Sequence, residues 1–348
     1  MKRARLASDD ALPAIDGLVP PWPGRSVVVD GARTHLRDTP PRSADAEPAV
    51  FVHGLGGSSL NWTDLGYLLA DRLAAQAIDL PGFGRSEPAR RYTVGASAQR
   101  VVRLIEYAGR GPVHLFGNSL GGAVAVRVAG TRPDLVRTLT LVSPAMPFLD
   151  PRRSFHGRLV PLLMVPRVER IAARRMASME PEDLARMVIE SCFADPARFP
   201  EQRFGEAVEE AKLRSAVPWY AAAYVRSLRG LVASFLRAYL PGSGSMWRTA
   251  ARITAPTLVI GGRQDMLVDV RVAGQVARTI PDSRLLMLDG VGHVAQMEVP
   301  HVVARAVLGM LEEVGPALPA ALPPVATEAP PAPVTGVLGV AIAGESAG

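Results

Sequence analysis

The sequence predicts an α/β protein: a mostly parallel sheet flanked by helices and interrupted by a helical insertion. Three observations carry this. Short apolar runs bounded by glycines alternate with stretches of helical length. That alternation stops near Ala145 and resumes at Thr257. Between one such run and the helix after it stands a glycine-flanked serine, Gly117-Asn118-Ser119-Leu120-Gly121, followed by Gly122.

The elements follow in order. Residues 1–24 are polar and then proline-rich (Pro20-Pro21-Trp22-Pro23), which predicts an irregular arm. Arg25–Val29 is β-branched, Asp30-Gly31 is a turn signal, and Thr34–Arg37 can pair back as a hairpin. Ala49–Val52, Ala75–Ile78, Val113–Phe116 and Val136–Val142 read as strands. Buried on both faces, such strands are continuously apolar, as in parallel sheets. Asn61–Leu73, Val94–Ala108 and Leu120–Ala129 read as the intervening helices. From 146 to 250 no strand signal stands out, while Val168–Ala177, Pro181–Cys192 and Val217–Leu240 read as helices. Strand Thr257–Ile260, helix Val270–Thr279, strand Arg284–Leu288 and helix His301–Val314 then complete the core. The predicted division is an arm at 1–24, a core at 25–145 and 251–315, a helical cap at 146–250, and an Ala/Pro-rich disordered tail at 316–348.

Composition excludes several classes. A chain of 348 residues, nearly half apolar, can bury one large core. One cysteine, Cys192, rules out an intrachain disulfide and reads as a small buried hydrophobe. Lys2, Arg3 and Arg5 are followed by Ser8, Asp9 and Asp10 rather than an apolar stretch, so no signal peptide is expected. No run reaches the roughly 18 apolar residues of a membrane span. These features predict a cytoplasmic protein. The net charge is +6 but the basic residues are not interleaved with aromatics, which argues against nucleic-acid binding. No metal-ligand cluster or nucleotide motif is present, so no cofactor is expected.

The chemistry concentrates at Ser119. A G-x-S-x-G turn between a buried strand and a helix strains the serine backbone and lifts its hydroxyl to the carboxyl edge of the sheet. The glycines flank it because side chains there would strike the adjacent strand and helix. The helix that starts at this point favours negative charge. Acyl transfer also needs two backbone N–H donors aimed at the developing oxyanion. Leu120 follows the nucleophile, and Leu55 lies in the turn His53-Gly54-Leu55-Gly56-Gly57 after an earlier strand. His53 is read as a brace for that turn. Asp79, at the head of the turn-rich Asp79–Ser86, is read as structural.

These three segments together resemble the α/β-hydrolase superfamily over residues 25–315. The resemblance implies an eight-stranded, mostly parallel sheet, a cap inserted after the sixth strand, and a triad in the chain order serine, acid, histidine. His293, in Gly290-Val291-Gly292-His293 after the last strand, is the histidine in the base position. Asp265, in Gly261-Gly262-Arg263-Gln264-Asp265, is the acid, with Asp269 read as the N-cap of the next helix. The alternative acid position of some relatives, after the sixth strand, reads Ser143-Pro144-Ala145-Met146 and carries no carboxylate.

The serine excludes the aspartate-nucleophile chemistry of related dehalogenases and epoxide hydrolases. Carboxylic-ester hydrolysis is the leading expectation. Carbon–carbon hydrolases of the meta-cleavage type share Gly-Asn-Ser but usually carry tryptophan where this chain has Met297. Cofactor-free haloperoxidases or perhydrolases share the triad. A catalytically silent receptor on the same fold is the non-enzyme alternative. Met146, Phe148, Trp219 and Met297, with Tyr220 and Trp247, are candidates for an apolar pocket suited to a lipid-like ester. The insertion carries sixteen Arg/Lys and eleven Asp/Glu, a net 16 − 11 = +5. Its apolar run Leu159–Val165, followed by Arg167, Arg170, Arg174 and Arg175, also predicts peripheral contact with anionic membranes.

Overall fold

The computed structural model of the chain describes residues 1–13, 19–148, 167–238, 240 and 245–316. The run Leu159–Val165 and almost all of the predicted tail lie outside the described residues. Nine strands form one sheet: β1 (Lys2–Arg3), β2 (Gly24–Val29), β3 (Ala32–Asp38), β4 (Glu47–Val52), β5 (Leu73–Ile78), β6 (Val113–Asn118), β7 (Val136–Val142), β8 (Thr257–Gly262) and β9 (Ser283–Leu288). Their order is β1-β9-β8-β7-β6-β4-β5-β3-β2. The hairpin β2–β3 and the pair β3–β5 are antiparallel, and every other pairing is parallel.

Among the described residues the sheet therefore has nine strands rather than eight, and the arm is not irregular throughout. Lys2 and Arg3 pair in parallel with Arg284 and Leu285, closing the far edge. Two exposed charged residues give no hydrophobic period to read, yet charge at an edge suits a strand that must not recruit another chain. The arm then exchanges hydrogen bonds with Arg305: Ala7 N donates to its carbonyl at 3.0 Å, and its Nε donates to the Ala7 carbonyl at 2.8 Å.

The helices are α1 (Thr63–Leu69), α2 (Val94–Ala108), α3 (Leu120–Thr131), α4 (Val168–Ala177), α5 (Pro181–Cys192), α6 (Glu201–Ala216), α7 (Tyr220–Arg237), α8 (Met246–Ala250), α9 (Arg271–Thr279), α10 (Ala295–Glu298) and α11 (Pro300–Val314). The predicted helix Asn61–Leu73 is a 3₁₀ turn at Ser59–Trp62 followed by the shorter α1, and Leu73 already belongs to β5. α2 matches its prediction because both ends are signalled. Thr93 Oγ1 accepts from Ala96 N, and Gly109 closes the helix at φ 60°.

Two apolar clusters sandwich the sheet. One joins α2, α3, α8 and α9 to one face of the sheet. The other joins α1 and α11 to the opposite face and includes the fully buried Phe51, Trp62 and Phe116. The Phe51 and Phe116 rings meet edge-on at 4.6 Å. Helices α4 to α8 lie between β7 and β8 in sequence, the position of the predicted insertion. No helix among the described residues is long and apolar enough to cross a membrane.

Candidate active site

The parallel strands β4, β6 and β8 end on the same edge, and the three predicted site segments follow them. Ser119 stands between β6 and α3 with φ 54° and ψ −117°. That region disfavours any residue with a Cβ, so the turn holds the serine under strain. The turn is held from both sides: Ser119 N donates to Val142 O at 3.1 Å, and Ala145 N donates to Ser119 O at 2.9 Å. A Cβ on Gly121 would lie 2.1 Å from Val52 O, and one on Gly117 would lie 2.4 Å from Gly121 O. Side chains at either position would therefore force α3 away from β4 and β6.

Leu120 opens α3, and its amide has no acceptor within the helix. The turn after β4 runs beside it, since a Cβ on Gly54 would lie 3.1 Å from Ser119 Cβ. That turn carries Leu55. Among the described residues, neither the Leu55 nor the Leu120 amide has an acceptor. Neither does the Ser119 hydroxyl, which is half-buried.

His53 is fully buried. Its Nδ1 donates to Gly54 O at 2.7 Å, and its Nε2 accepts from Leu80 N at 2.9 Å. Burial lowers its pKa more than the nearby Asp79 raises it, so the ring is neutral and both nitrogens are engaged in the brace. Asp79 is also buried. It accepts from Ser59 N (2.6 Å), His35 Nδ1 (2.8 Å) and Arg85 N (2.9 Å). Burial would push its carboxyl up, but these donors and the nearby imidazoles hold it at about 2.

His293 Nδ1 lies 2.8 and 3.0 Å from the two Asp265 oxygens. The aspartate is positioned by its own turn, where Oδ1 accepts from Leu267 N at 2.8 Å and Val268 N at 3.0 Å. Burial pushes its carboxyl up, yet the imidazole and those two amides outweigh burial and keep it below its ordinary value. An ionised Asp265 takes the Nδ1 proton as a hydrogen bond and leaves Nε2 as the basic nitrogen of the ring. Asp269 accepts from Arg271 N at 3.0 Å and pairs with the Arg271 guanidinium at the start of α9.

Residues outside the predicted set tie these groups together. Asn118 Nδ2 donates to Val142 O and to His293 O, both at 3.1 Å, and so joins the serine turn to the histidine loop. The insertion reaches the same loop: His293 N donates to Cys192 O at 2.7 Å. Glu298, whose side chain is wholly buried, accepts from Gly292 N (2.7 Å), Asp195 N (3.2 Å), Ala194 N (3.3 Å) and Arg198 Nη1 (3.3 Å). In the sequence Glu298 is marked only by being an acid five residues after His293, which does not by itself single it out.

The predicted pocket residues do not gather in one place. Met146 and Tyr220 are buried in the same cluster as Leu120, with Phe148 and Trp247 packed against it. Met297 belongs to a separate cluster with Ile189, Phe193 and Val294. Trp219 is half-buried at the start of α7. A cleft of about 240 Å³ opens beside α5, between Arg186, Ile189, Phe199 and Phe204, and none of Ser119, Asp265 or His293 lines it. Among the described residues no cluster of His, Cys, Asp or Glu could hold a metal ion.

Comparison with known proteins settles the family. A family model for the alpha/beta hydrolase fold matches residues 48–300. The chain belongs to the α/β-hydrolase family. Its relatives include a monoacylglycerol lipase of Xenopus laevis, 27% identical over 270 residues, covering 76% of this chain and 75% of the relative. They also include the dihydrolipoyllysine-residue acetyltransferase component of the acetoin cleaving system of Pseudomonas putida. That protein is 28% identical over 270 residues, and the match covers 76% of this chain. The matched region spans only 64% of the acetyltransferase component's length. Among solved structures, a membrane phospholipase A superposes with a TM-score of 0.68 at 24% identity, covering 84% of this chain and 86% of the other. At that identity the likeness speaks for the α/β-hydrolase fold. Proteins named as a monoacylglycerol lipase and as a putative carbamate hydrolase are among the relatives of this chain.

Proposed function

We propose that the chain is a serine hydrolase of carboxylic esters, acting through an acyl-enzyme on Ser119. The observation that carries the reading is the Asp265–His293 pair, held against the strained Ser119 turn by Asn118. His293 Nε2 takes the Ser119 proton as Oγ attacks the ester carbonyl. The Leu55 and Leu120 amides and the start of α3 stabilise the oxyanion. His293 then protonates the leaving alcohol and next activates the water that releases the acid. The apolar residues Met146 and Phe148 in the turn after β7 favour an apolar acyl group, and the monoacylglycerol lipase relative supports the same substrate class.

The test is hydrolysis of p-nitrophenyl esters of graded acyl length. Wild type should turn over the longer chains with lower KM, and Ser119→Ala should lose about 10³-fold or more in kcat. Equal hydrolysis by the two proteins would refute the reading. Contact with anionic membranes belongs to the same proposal, because α4 exposes Ile171 beside Arg170, Arg174 and Arg175. Co-sedimentation with phosphatidylglycerol vesicles but not phosphatidylcholine vesicles is expected, and equal behaviour with both would remove it.

A further inference from the structure

The turn that bears Leu55 is supported on two sides. From the core, His53 Nδ1 donates to Gly54 O, and Gly57 N donates to the same carbonyl at 3.1 Å. From the insertion, the Tyr220 hydroxyl on α7 donates to Gly56 O at 3.0 Å. The insertion helix also closes over Gly56 sterically. A Cβ there would lie 3.0 Å from Tyr224 Cε2 and 3.2 Å from Tyr220 Oη, and Gly56 sits at φ 76°, where a side chain is strained in any case. The Leu55 side chain packs both against the main core and against the cluster of Val168, Val225 and Leu228 in the insertion.

Tyr220 itself is well anchored. It is buried, its ring meets Phe83 edge-on at 5.8 Å, and Phe83 meets His53 edge-on at the same distance. Two aromatic contacts therefore connect the core brace to the insertion brace. Further along α7, Gly230 lets the helix press on the start of α2, where a Cβ would lie 2.0 Å from Tyr92 O. α7 is thus a rigid mount for the hydroxyl.

We infer that Tyr220 is a positioning residue for the oxyanion hole: by holding the Gly56 carbonyl, it fixes the turn so that the Leu55 amide points toward the reacting centre. Tyr220 touches neither substrate nor the reacting atoms; it acts through the turn. A donor contributes in proportion to how well it is pre-aimed, because reorienting it during reaction removes the advantage over water. The inference rests on reading Leu55 as an oxyanion donor.

The test is Tyr220→Phe, which removes the hydroxyl and keeps the ring packing. Two readouts separate this inference from the serine-hydrolase reading. The first is amide hydrogen exchange of the peptide containing residues 53–57, which requires no catalysis. Exchange there should accelerate about tenfold, with the rest of the core unchanged; unchanged exchange overturns the inference. The second is the rate at which an alkyl fluorophosphonate labels Ser119. In that reaction the Ser119 Oγ–P bond forms, the P–F bond breaks, fluoride departs and the serine proton passes to His293, while the phosphoryl oxygen occupies the oxyanion site. Labelling should slow about tenfold, less than the roughly 10²–10³ of losing a donor outright. In ester hydrolysis the loss should fall on kcat, with KM within about twofold. Faster exchange with unchanged labelling and kcat would also overturn the inference. Failure of the wild type to label at all would overturn the hydrolase reading, and the exchange result would still decide whether Tyr220 holds the turn.

Discussion

Replacing Glu298 by alanine tests how the insertion is coupled to the histidine loop. The carboxylate collects four donors, and they are not equal. Gly292 N is fully buried and makes the shortest bond, 2.7 Å, so it loses its acceptor with no water to replace it, at about 1–3 kcal/mol. Ala194 N and Asp195 N bond at 3.3 and 3.2 Å near the surface, where water can substitute, so they add about 0.5 kcal/mol each. Arg198 is 41% exposed and contributes little. Relief of the buried charge offsets part of the loss. These contributions amount to about 2–4 kcal/mol before that offset, so the net expectation is a loss of about 1–3 kcal/mol, read by urea unfolding at neutral pH. Glu298→Gln keeps one acceptor for Gly292 but sets an amide NH₂ against the remaining donors, and should lose about half as much. A loss below about 1 kcal/mol for the alanine variant would mean that the carboxylate does not couple the two segments.

Further outcomes follow from the same structure. Asp265→Asn should lower kcat about 10³–10⁴-fold with little change in KM, because an amide no longer fixes the Nδ1 proton of His293; a loss under about tenfold in steady-state hydrolysis would contradict that role. Asp79 is held at about 2 against an ordinary 3.8, so its stabilisation is present above about pH 4 and disappears as pH falls toward 2. Asp79→Asn should therefore lose about 2 kcal/mol at neutral pH and flatten the acid limb of stability between about pH 4 and 2, measured by unfolding across that range. Burial pushes the Cys192 thiol up to about 11, and iodoacetamide near neutral pH should leave it unmodified in the folded protein, checked by intact mass. Gly121→Ala drives a Cβ into Val52 O and should cost about 3 kcal/mol of stability, read by thermal unfolding.

What was legible in the sequence was what local chemistry dictates. The serine turn could be read because close approach demands glycine at 117 and 121 and a strand must precede it. α2 could be read because a threonine cap and a terminal glycine mark both ends. β1 could not, since two charged residues have no period and acquire strand geometry only from the edge of β9. Glu298, Asn118 and Tyr220 were also beyond local reading. Their partners lie 6 to 175 residues away, and nothing in a residue's neighbours tells which backbone donor or acceptor it will meet after the chain folds. The pocket candidates were chosen as large apolar side chains, a property shared by pocket wall and core alike, and the structure divides them between clusters.

Everything proposed for the chemistry depends on Ser119 being the nucleophile and His293 its base. Peptide mapping of a fluorophosphonate adduct on the full chain examines both at once. A single adduct on Ser119 is expected, absent in Ser119→Ala and about 10²-fold or more slower to form in His293→Ala. An adduct on another residue, or labelling of His293→Ala at the wild-type rate, would contradict these assignments.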